Sequence, residues 1–270
     1  MTARSGGDDG ARLAGWMAEA GVAEVLVVSP HLDDAVFSLA EFLTRGGLPP
    51  RRVLTVFTEA GAATDPAHAR AMGFADPAAE FAARCREDEA AMARLGTAFA
   101  HLGLESGRLD EAAAEDLSRR LPDRSGGGRM LVLLPLGAGA VLSPLRRLAR
   151  RAMRQPPGCG VHGDHVWVRD RLRDRLAGTV HLAGYYAEIP YQWANSPPDL
   201  ARLAGGLIAG RVQDFALLPD VDAKIAAAAD YASQVASEFG ARSSFRRRTA
   251  SIAERLFLPA PAPDRPPRGS

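Results

Sequence analysis

Apolar runs of strand length alternate along this chain with stretches in which apolar residues recur at helical spacing. Glu24–Ser29, Arg52–Thr58 and Arg129–Leu134 are nearly continuous apolar runs, and such runs predict strands that are buried on both faces of a sheet. Further strands are predicted over about 97–102, 179–185 and 211–217, and helices over about 12–19, 35–46, 80–95, 111–121, 161–176 and 221–239. A strand, a helix and a strand in succession form the crossover unit of a parallel sheet, so the pattern predicts an α/β fold.

Two stretches lack any period. Glu59–Ala79 is rich in Gly, Ala, Pro and Asp, and so long a loop within a compact domain is more often functional than idle. Residues 259–270 contain five prolines and no apolar pattern, which predicts a disordered tail. Because we find no internal repeat and no linker, we predict a single domain over residues 1–258.

The composition excludes several classes of protein. Hydrophobic residues make up 47% and charged residues 24% of the 270 positions, as in ordinary globular proteins. No apolar run approaches the roughly 20 residues that a membrane-spanning helix needs, and residues 1–14 lack the apolar core of a signal peptide. Cys85 and Cys159 are too few for a disulfide framework. We therefore expect a cytoplasmic protein without a transmembrane segment; the sequence does not determine its oligomeric state.

The charge pattern gives little support to a nucleic-acid partner. The net charge is +1, and aromatic residues are rarely interleaved with the arginine runs at 146–154 and 246–248. We interpret both runs as solvated helix faces. The alternative is contact with nucleic acid or another anion, which would give a salt-sensitive affinity for DNA or RNA; we expect none. Lys224 is the only lysine, which together with abundant alanine suggests GC-rich coding.

A histidine and two carboxylates follow the first predicted strand, in Ser29-Pro-His-Leu-Asp-Asp34. The carboxyl edge of an open α/β sheet is where ligands bind. His31 and Asp34 are three positions apart, so one turn of chain can aim both at one point, and such a nitrogen–oxygen pair suits zinc or a similar divalent metal. Asp33 then faces elsewhere and can act as a base. The alternative is that the aspartates cap the following helix and His31 lies on the surface.

Two histidines stand close together in Val161-His-Gly-Asp-His165, at the start of a predicted helix. One of them could complete a three-ligand site that leaves a position open for water, as in catalytic zinc centres. The alternative is a pair of helix-start histidines that bind nearby carbonyl groups. Cys159 is a conceivable ligand, but a buried small residue is the interpretation we favour.

Taken together, these motifs resemble those of the LmbE-like, or PIG-L, family of zinc-dependent N-deacetylases. The family pattern is a strand followed by His-Pro-Asp-Asp-Glu, then an Arg-x-x-Glu helix that ends in Leu-Gly, and then His-x-Asp-His. The chain has Pro30–Asp34, Arg86–Glu89 with Leu95-Gly96, and His162–His165 in that order. Lys224–Gln234 is similar to a later family helix. The resemblance covers about residues 24–257 and implies a Rossmann-like, open, mostly parallel sheet with helices on both faces.

The resemblance also implies roles for single residues. His31, Asp34 and His165 would bind Zn²⁺, Asp33 would be the general base, and His162 would steady the oxyanion or protonate the leaving amine. Arg86 matches the arginine that contacts substrate. Arg84 competes with Arg86 for that role, and the alternative for either is a solvated arginine that pairs with a neighbouring glutamate.

The implied reaction is hydrolysis of an amide, by N-deacetylation or N-deacylation, on an amino sugar or a related acylated amine. The substrate would be a small molecule or a glycoconjugate, in actinobacterial secondary metabolism such as the tailoring of an antibiotic. The alternatives are an amidase of the mycothiol-conjugate type and a non-catalytic member of the fold that binds a sugar or a metal.

The chain departs from the family pattern at several positions. Leu32 replaces proline, Ala35 replaces glutamate, and Glu41 stands where glycine is usual. None of these is an implied ligand or base, so we expect activity to survive, although Glu41 could alter the local helix packing. Residues 136–160 form a longer segment than the pattern leads one to expect. We predict that this segment influences the choice of substrate.

Overall fold

The computed structural model of the chain describes residues 6–62, 64–121, 128–137, 162–191, 195–239, 242–249 and 252–260. Its helices are α1 (Gly6–Glu19), α2 (Asp34–Thr44), α3 (Pro66–Ala71), α4 (Pro77–Leu95), α5 (Glu111–Arg119), α6 (Gly163–Leu176), α7 (Pro197–Gly205), α8 (Val221–Ala228), α9 (Ala232–Phe239) and α10 (Arg242–Thr249). Its strands are β1 (Val22–Ser29), β2 (Arg51–Glu59), β3 (Ala98–Glu105), β4 (Arg129–Pro135), β5 (Leu182–Tyr186), β6 (Val212–Leu217) and β7 (Glu254–Pro259).

The seven strands of the described ranges form one mixed sheet in the order β3-β2-β1-β4-β5-β7-β6. β1 pairs in parallel with β2 and with β4, and the parallel pairing extends to β3 on one side and to β5 on the other. β7 runs antiparallel to both β5 and β6. Because the strand order reverses between β1 and β4, a crevice is expected at their carboxyl ends.

Alternate side chains of the inner strands pack into two apolar layers, one on each face of the sheet. Val25 and Val27 of β1 contribute to the layer that α1, α2, α4 and α8 complete. Leu26 and Val28 contribute to the opposite layer, which contains side chains of α5, α6 and α7. A fully buried aliphatic side chain contributes about 1.5–3 kcal/mol relative to an exposed one. The expectation of a mostly parallel sheet with helices on both faces is therefore confirmed.

The long aperiodic loop contains one short helix that the sequence pattern did not predict. Asp65 caps α3 by accepting a hydrogen bond from the amide of Ala67 at 2.8 Å, and Pro66 occupies the first turn. An N-cap aspartate followed by proline favours a helix start. The signal was present in the sequence, but six residues are too few to show an apolar period.

The single helix predicted over about 221–239 is two helices, α8 and α9. Between them lies Tyr231, which is fully buried and donates a hydrogen bond from its hydroxyl to Asp88 Oδ1 at 2.5 Å. This long-range contact turns the chain where the local sequence favours a continuous helix.

β7 was missed by the sequence analysis, and part of it was assigned to the disordered tail. Pro259 ends β7, and the amide of Ala260 donates to the carbonyl of Arg211 at 2.8 Å. The tail prediction is therefore wrong at residues 259 and 260, and residues 261–270 lie outside the described ranges. β7 begins with Glu254, a residue type that rarely lies inside a sheet without a partner.

Several further expectations fall wholly or largely outside the described residues. They concern the segment 136–160, of which only residues 136 and 137 are described, Cys159, and the arginine run 146–154. In the second arginine run, Arg246 pairs with Asp222 at 2.7 Å, and both side chains are more than half exposed, as expected for a solvated face. None of the described helices is long and apolar enough to cross a membrane. The single-domain boundary of 1–258 stays a prediction.

Candidate metal centre and its cleft

The two histidine motifs meet at the carboxyl edge of the sheet, where the strand order reverses. β1 ends at Ser29, directly before His31 and Asp34, and β4, its neighbour, ends at Pro135. The chain is described again from His162, which precedes α6. His31 Nδ1 and His165 Nε2 lie 3.2 Å apart, although the residues are 134 positions apart in sequence.

Short-range hydrogen bonds hold the turn after β1 in shape. The Ser29 hydroxyl donates to the carbonyl of His31 at 2.7 Å and accepts from the amide of Ala35 at 3.1 Å. The carboxylate of Asp34 turns back and accepts the amide of His31 at 2.9 Å. These contacts fix the backbone on which both side chains are mounted, so the histidine and the carboxylate reach the crevice together.

Three atoms form a nearly equilateral triangle in this crevice. They are His31 Nδ1, His165 Nε2 and Asp34 Oδ2, with separations of 3.2 Å between the two nitrogens, 3.4 Å from His31 to Asp34 and 3.5 Å from His165 to Asp34. A tetrahedral zinc ion about 2.1 Å from its ligands keeps those ligands about 3.4 Å apart. The donor set and its spacing therefore fit zinc.

Each of these histidines contacts a carboxylate through its other ring nitrogen. His31 Nε2 lies 3.0 Å from Asp164 Oδ2, and His165 Nδ1 lies 3.0 Å from Glu188 Oε1. Histidines that bind metals generally donate their second N–H to such a partner, which fixes the ring and its tautomer. Neither carboxylate has a role predicted from the sequence. Asp164 lies inside the second histidine motif, at the start of α6, whereas Glu188 lies two residues beyond β5. The rule that ligands gather at strand ends could therefore have found Glu188.

The negative charge of these carboxylates makes the triangle favourable for a cation. Burial lowers the pKa of His31, but hydrogen bonds to Asp164 and Asp34, and the charges of both carboxylates, outweigh it and raise that pKa to about 9. Burial raises the pKa of Asp34, whereas the charge of His165 and the contacts with His31 lower it to about 2. The triangle thus stabilises added positive charge, whether it comes from protons or from a metal ion.

His162 lies beside the triangle and offers a further nitrogen. One ring nitrogen from each of His31, His162 and His165 falls within 4.8 Å of the others, so a three-histidine ligand set is an alternative. Burial, and then the charges of His31 and His165, lower the pKa of His162 to about 4. Its Nδ1 is buried and has no hydrogen-bond partner among the described residues.

Asp33 precedes α2 but does not cap it. The residue occupies the N-cap position, yet its side chain makes no capping hydrogen bond. The Asp33 carboxylate lines the same cleft as His31 and His162, and its Oδ1 lies 4.0 Å from Arg84 Nη2. The alternative hypothesis, in which the aspartates only cap the helix, is therefore wrong for Asp33.

The structure places Arg84, and not Arg86, at the cleft. Arg84 lines the cleft, stacks on the ring of Phe81 at 5.3 Å and has a side chain that is 13% exposed, whereas Arg86 is exposed and lies outside the lining. Side chains two positions apart on a helix point about 200° apart, so only one of these two arginines can face the cleft. The sequence contains two overlapping Arg-x-x-Glu frames, 84–87 and 86–89, and only the arginine of the first frame lies in the cleft lining. Substrate contact by either arginine stays a prediction.

The cleft has a volume of about 230 Å³ and a mostly polar wall. Besides the residues described above, its lining includes His68, Ser106, Tyr191 and Gln234. The ring of Tyr191 meets the ring of His165 edge to face, with the centroids 5.2 Å apart. Two successive hydrogen bonds fix the position of Gln234. Its amide donates to the Ser233 hydroxyl at 3.1 Å, and that hydroxyl donates to Glu87 at 2.6 Å.

The departures from the family pattern add no side chain to the triangle or to the cleft lining of the described residues. Leu32 is fully buried. Glu41 pairs with Arg45 at 2.7 Å and accepts the amide of Asp220 at 3.0 Å, so it joins α2 to the start of α8. α2 is kinked at Leu39, where φ is −135°. The altered packing that we expected at Glu41 therefore affects the contact between α2 and the start of α8, and not the wall of the cleft.

Comparison with known proteins gives one related sequence and several similar folds. No protein-family model matches the chain. The 2'-N-acetylparomamine deacetylase of Streptomyces fradiae is 29% identical over 88% of this chain and 90% of its own. A zinc-inhibited form of teicoplanin deacetylase superposes with a TM-score of 0.58 at 21% identity, over 87% of this chain and 97% of that one.

The same fold also occurs in an enzyme of another class. The 4-carboxy-2-hydroxymuconate hydratase of Pseudomonas putida superposes with a TM-score of 0.53 at 15% identity, over 92% of this chain and all of that one. The fold alone therefore does not identify the reaction. The related sequence and the similar folds of known deacetylases agree with the resemblance to the LmbE-like, or PIG-L, family that the sequence motifs indicate.

Proposed function

We propose that the protein is a zinc-dependent amidohydrolase that removes an acetyl or related acyl group from the nitrogen of an amino sugar. One observation carries the proposal. A three-atom triangle of zinc-binding size, backed by two carboxylates, lies in the same cleft as Asp33 and His162, which are residue types suited to acid–base catalysis. A site that only binds a metal or a sugar needs neither of the last two.

In this proposal His31, Asp34 and His165 hold the metal. When bound, zinc supplies a Lewis acid that polarises the amide carbonyl and acidifies water. These three residues would supply three of the four ligands that a tetrahedral zinc site uses.

Asp33 is the general base in this scheme. Its carboxylate lies in the cleft next to Asp34 but is separate from the triangle, so it can accept the proton of the attacking water. His162 is the second acid–base group. Its ring lines the cleft beside His31, where it can act on a reacting oxygen or on the departing amine.

Arg84 and the polar side of the cleft bind the sugar part of the substrate. The guanidinium can donate several hydrogen bonds in a fixed plane, and Gln234 adds an amide that is held in place by Ser233. Hydroxyl and amide groups of an amino sugar match such donors and acceptors.

The names of the related proteins suggest the biological setting. The sequence relative is a 2'-N-acetylparomamine deacetylase, and the structural neighbours include deacetylases of teicoplanin and of the pseudoaglycone of the antimicrobial A40926, so we propose a role in antibiotic tailoring. The cytoplasm is the compartment that we propose. A mycothiol-conjugate amidase would use the same centre, and substrate profiling distinguishes the two.

The test is mass spectrometry of a panel that contains 2'-N-acetylparomamine, N-acetylglucosamine, an N-acetylated glycopeptide and a mycothiol conjugate, incubated with the zinc-loaded protein. We expect one of the first three compounds to lose an acyl group. The variant Asp33→Asn retains the shape of the side chain but not the base, so we expect it to form no product. Turnover of the mycothiol conjugate alone would assign the alternative. Absence of hydrolysis across the panel, or full turnover by protein verified to be metal-free, would contradict the proposal.

A further inference from the structure

Glu188 is the most completely buried carboxylate near the cleft. It follows β5, its side chain has no exposed surface, and a single oxygen, Oε1, accepts two hydrogen bonds. One comes from His165 Nδ1 at 3.0 Å and the other from the amide of Gly137 at 2.9 Å. Burial of a carboxylate lowers the stability of a fold unless the group is paired in this way. A functional role would explain why a carboxylate occupies this position.

We propose that Glu188 is a positioning residue, which sets the tautomer of His165 and anchors this ligand to the ends of β4 and β5. The inference rests on the metal-binding part of the proposed function and on no assumption about the substrate. It adds a residue to which neither the motifs nor the comparisons assign a role.

The tautomer follows from hydrogen-bond chemistry. A carboxylate oxygen can only accept, so His165 Nδ1 must carry the hydrogen in this contact. His165 Nε2 is then left with a lone pair, and this is the atom that lies 3.5 Å from Asp34 Oδ2 in the triangle. Without the carboxylate, the opposite tautomer would place a hydrogen on Nε2 and block the ligand position.

The anchoring follows from the second hydrogen bond. Gly137, at the end of β4, has φ of +71°, and a Cβ atom there would lie 2.8 Å from Arg169 Nη1. Arg169, on α6, donates from the same nitrogen to the carbonyl of Leu136 at 2.8 Å. The end of β4 therefore packs directly on the helix that carries His165, and Glu188 joins both to β5.

Asp164 supports His31 in a similar way but from a more open position. Its side chain is 13% exposed and its Oδ2 lies 3.0 Å from His31 Nε2. Water can replace part of what Asp164 provides, whereas water does not reach Glu188. We therefore expect loss of the Glu188 carboxylate to have the larger effect on metal affinity.

The experiment measures zinc affinity of metal-free protein by competition with a chromophoric chelator, with no substrate present. Glu188→Gln retains the size of the side chain but replaces the acceptor-only group with an amide that can also donate. We expect its zinc affinity to fall by roughly 10- to 100-fold, the usual effect of losing such a partner. The zinc affinity of Asp164→Asn should fall by a smaller factor.

Glu254→Gln is the matched control, because Glu254 is also fully buried but pairs with Lys224 at 2.6 Å, away from the cleft. We expect this variant to lose stability and to retain wild-type zinc affinity. The ring ¹⁵N signals of His165 in metal-free protein give a second readout. They should report hydrogen on Nδ1 in the wild type and a mixture of tautomers in Glu188→Gln.

Unchanged zinc affinity in Glu188→Gln would overturn the inference, as would an equal loss in Glu254→Gln. If the glutamine variant does not fold, Glu188→Asp replaces it: a shorter carboxylate cannot reach both donors, and wild-type affinity there would overturn the inference equally. A wild type that binds zinc but hydrolyses no amide would sink only the proposed function. A wild type that does not bind zinc would overturn both.

Discussion

At the scale of single residues, we propose that the site separates groups that hold the metal from groups that act on the substrate. His165 is buried against Glu188, and its Nε2 belongs to the triangle. His162 is three positions earlier and has a ring nitrogen that the described residues leave unpaired. Their surroundings, and not their sequence spacing, give them different roles.

The two histidines can be distinguished by substitution. We expect His165→Ala to lose both zinc and activity, because two protein ligands remain. We expect His162→Ala to retain its zinc while kcat falls by roughly 10²- to 10⁴-fold, the range for a lost acid–base or oxyanion group. The measurement is zinc per protein by mass spectrometry beside kcat. The opposite pattern, with zinc lost only in His162→Ala, would favour the three-histidine ligand set.

Arg84 and Arg86 form a matched pair on the same helix. Arg84→Ala should lower kcat/KM by roughly 10- to 100-fold, since a hydrogen bond to a charged donor contributes about 1.5–3 kcal/mol. Arg86→Ala should remain within about twofold of wild type, as surface substitutions generally do. Steady-state kinetics with the substrate identified by the panel decides this, and a larger effect at Arg86 would restore the assignment made from the sequence.

At the scale of elements, a buried polar network joins α4 to β2 and β3. Asp88 on α4 accepts from Tyr231 at 2.5 Å and lies 2.8 Å from Nε2 of His101, which is on β3. The hydrogen bond to Asp88 comes first, and one with Cys85 second, among the causes that raise the pKa of His101 to about 9. The network therefore attaches an outer strand of the described sheet to a helix that also carries Arg84.

This pKa shift predicts how stability depends on pH. Because the folded-state pKa of His101 lies above its unfolded value of about 6.5, its contribution is fully present below pH 6.5 and is lost as the pH rises through 9. The melting temperatures of the wild type and of His101→Gln, measured between pH 6 and pH 10, should converge at high pH. The control is His68→Gln, an exposed histidine on α3; a pH-independent difference between wild type and His101→Gln would contradict the prediction.

Most elements could be predicted from the sequence because their signals are local. Val25–Val28 and Leu131–Leu134 are apolar runs that need no partner to be recognised, and the histidine and aspartates that follow the first run show where chemistry lies. β7 could not be found in this way, because Glu254 belongs inside the sheet only when Lys224 is beside it. The sequence left the choice between Arg84 and Arg86 open and gave Glu188 no role for a related reason, since helix register and burial decide which polar side chain faces the cleft.

At the scale of the whole molecule, the proposed metal centre connects distant parts of the chain. His31 and Asp34 follow β1, and His165 lies in the first turn of α6, 134 positions after His31. An unfolded chain does not hold these groups together, so we expect zinc to bind the folded state much more tightly. Metal binding and folding should therefore stabilise each other.

Removal of the metal should accordingly lower both activity and stability. Strong chelation should abolish turnover, and added Zn²⁺ should restore it. Zinc at 100 times its Kd should stabilise the fold by about 2.7 kcal/mol, so the melting temperature should rise with zinc concentration. Asp33→Asn is the control, because it should show the same rise without turnover. A melting temperature that does not respond to zinc would count against a metal centre formed by folding.

The place of β7 in the sheet has a consequence for how the chain folds while it is being translated. β7 lies between β5 and β6, although it follows both in the chain, and its Glu254 accepts the amides of Glu41 and Phe42, just after the kink in α2. A ribosome delivers α2 early and Glu254 more than 200 residues later. Until that segment emerges, β5 and β6 have no strand between them and the second half of α2 lacks its anchor. The nascent chain is therefore expected to depend on chaperones until β7 has been synthesised, which is longer than its early apolar strands suggest.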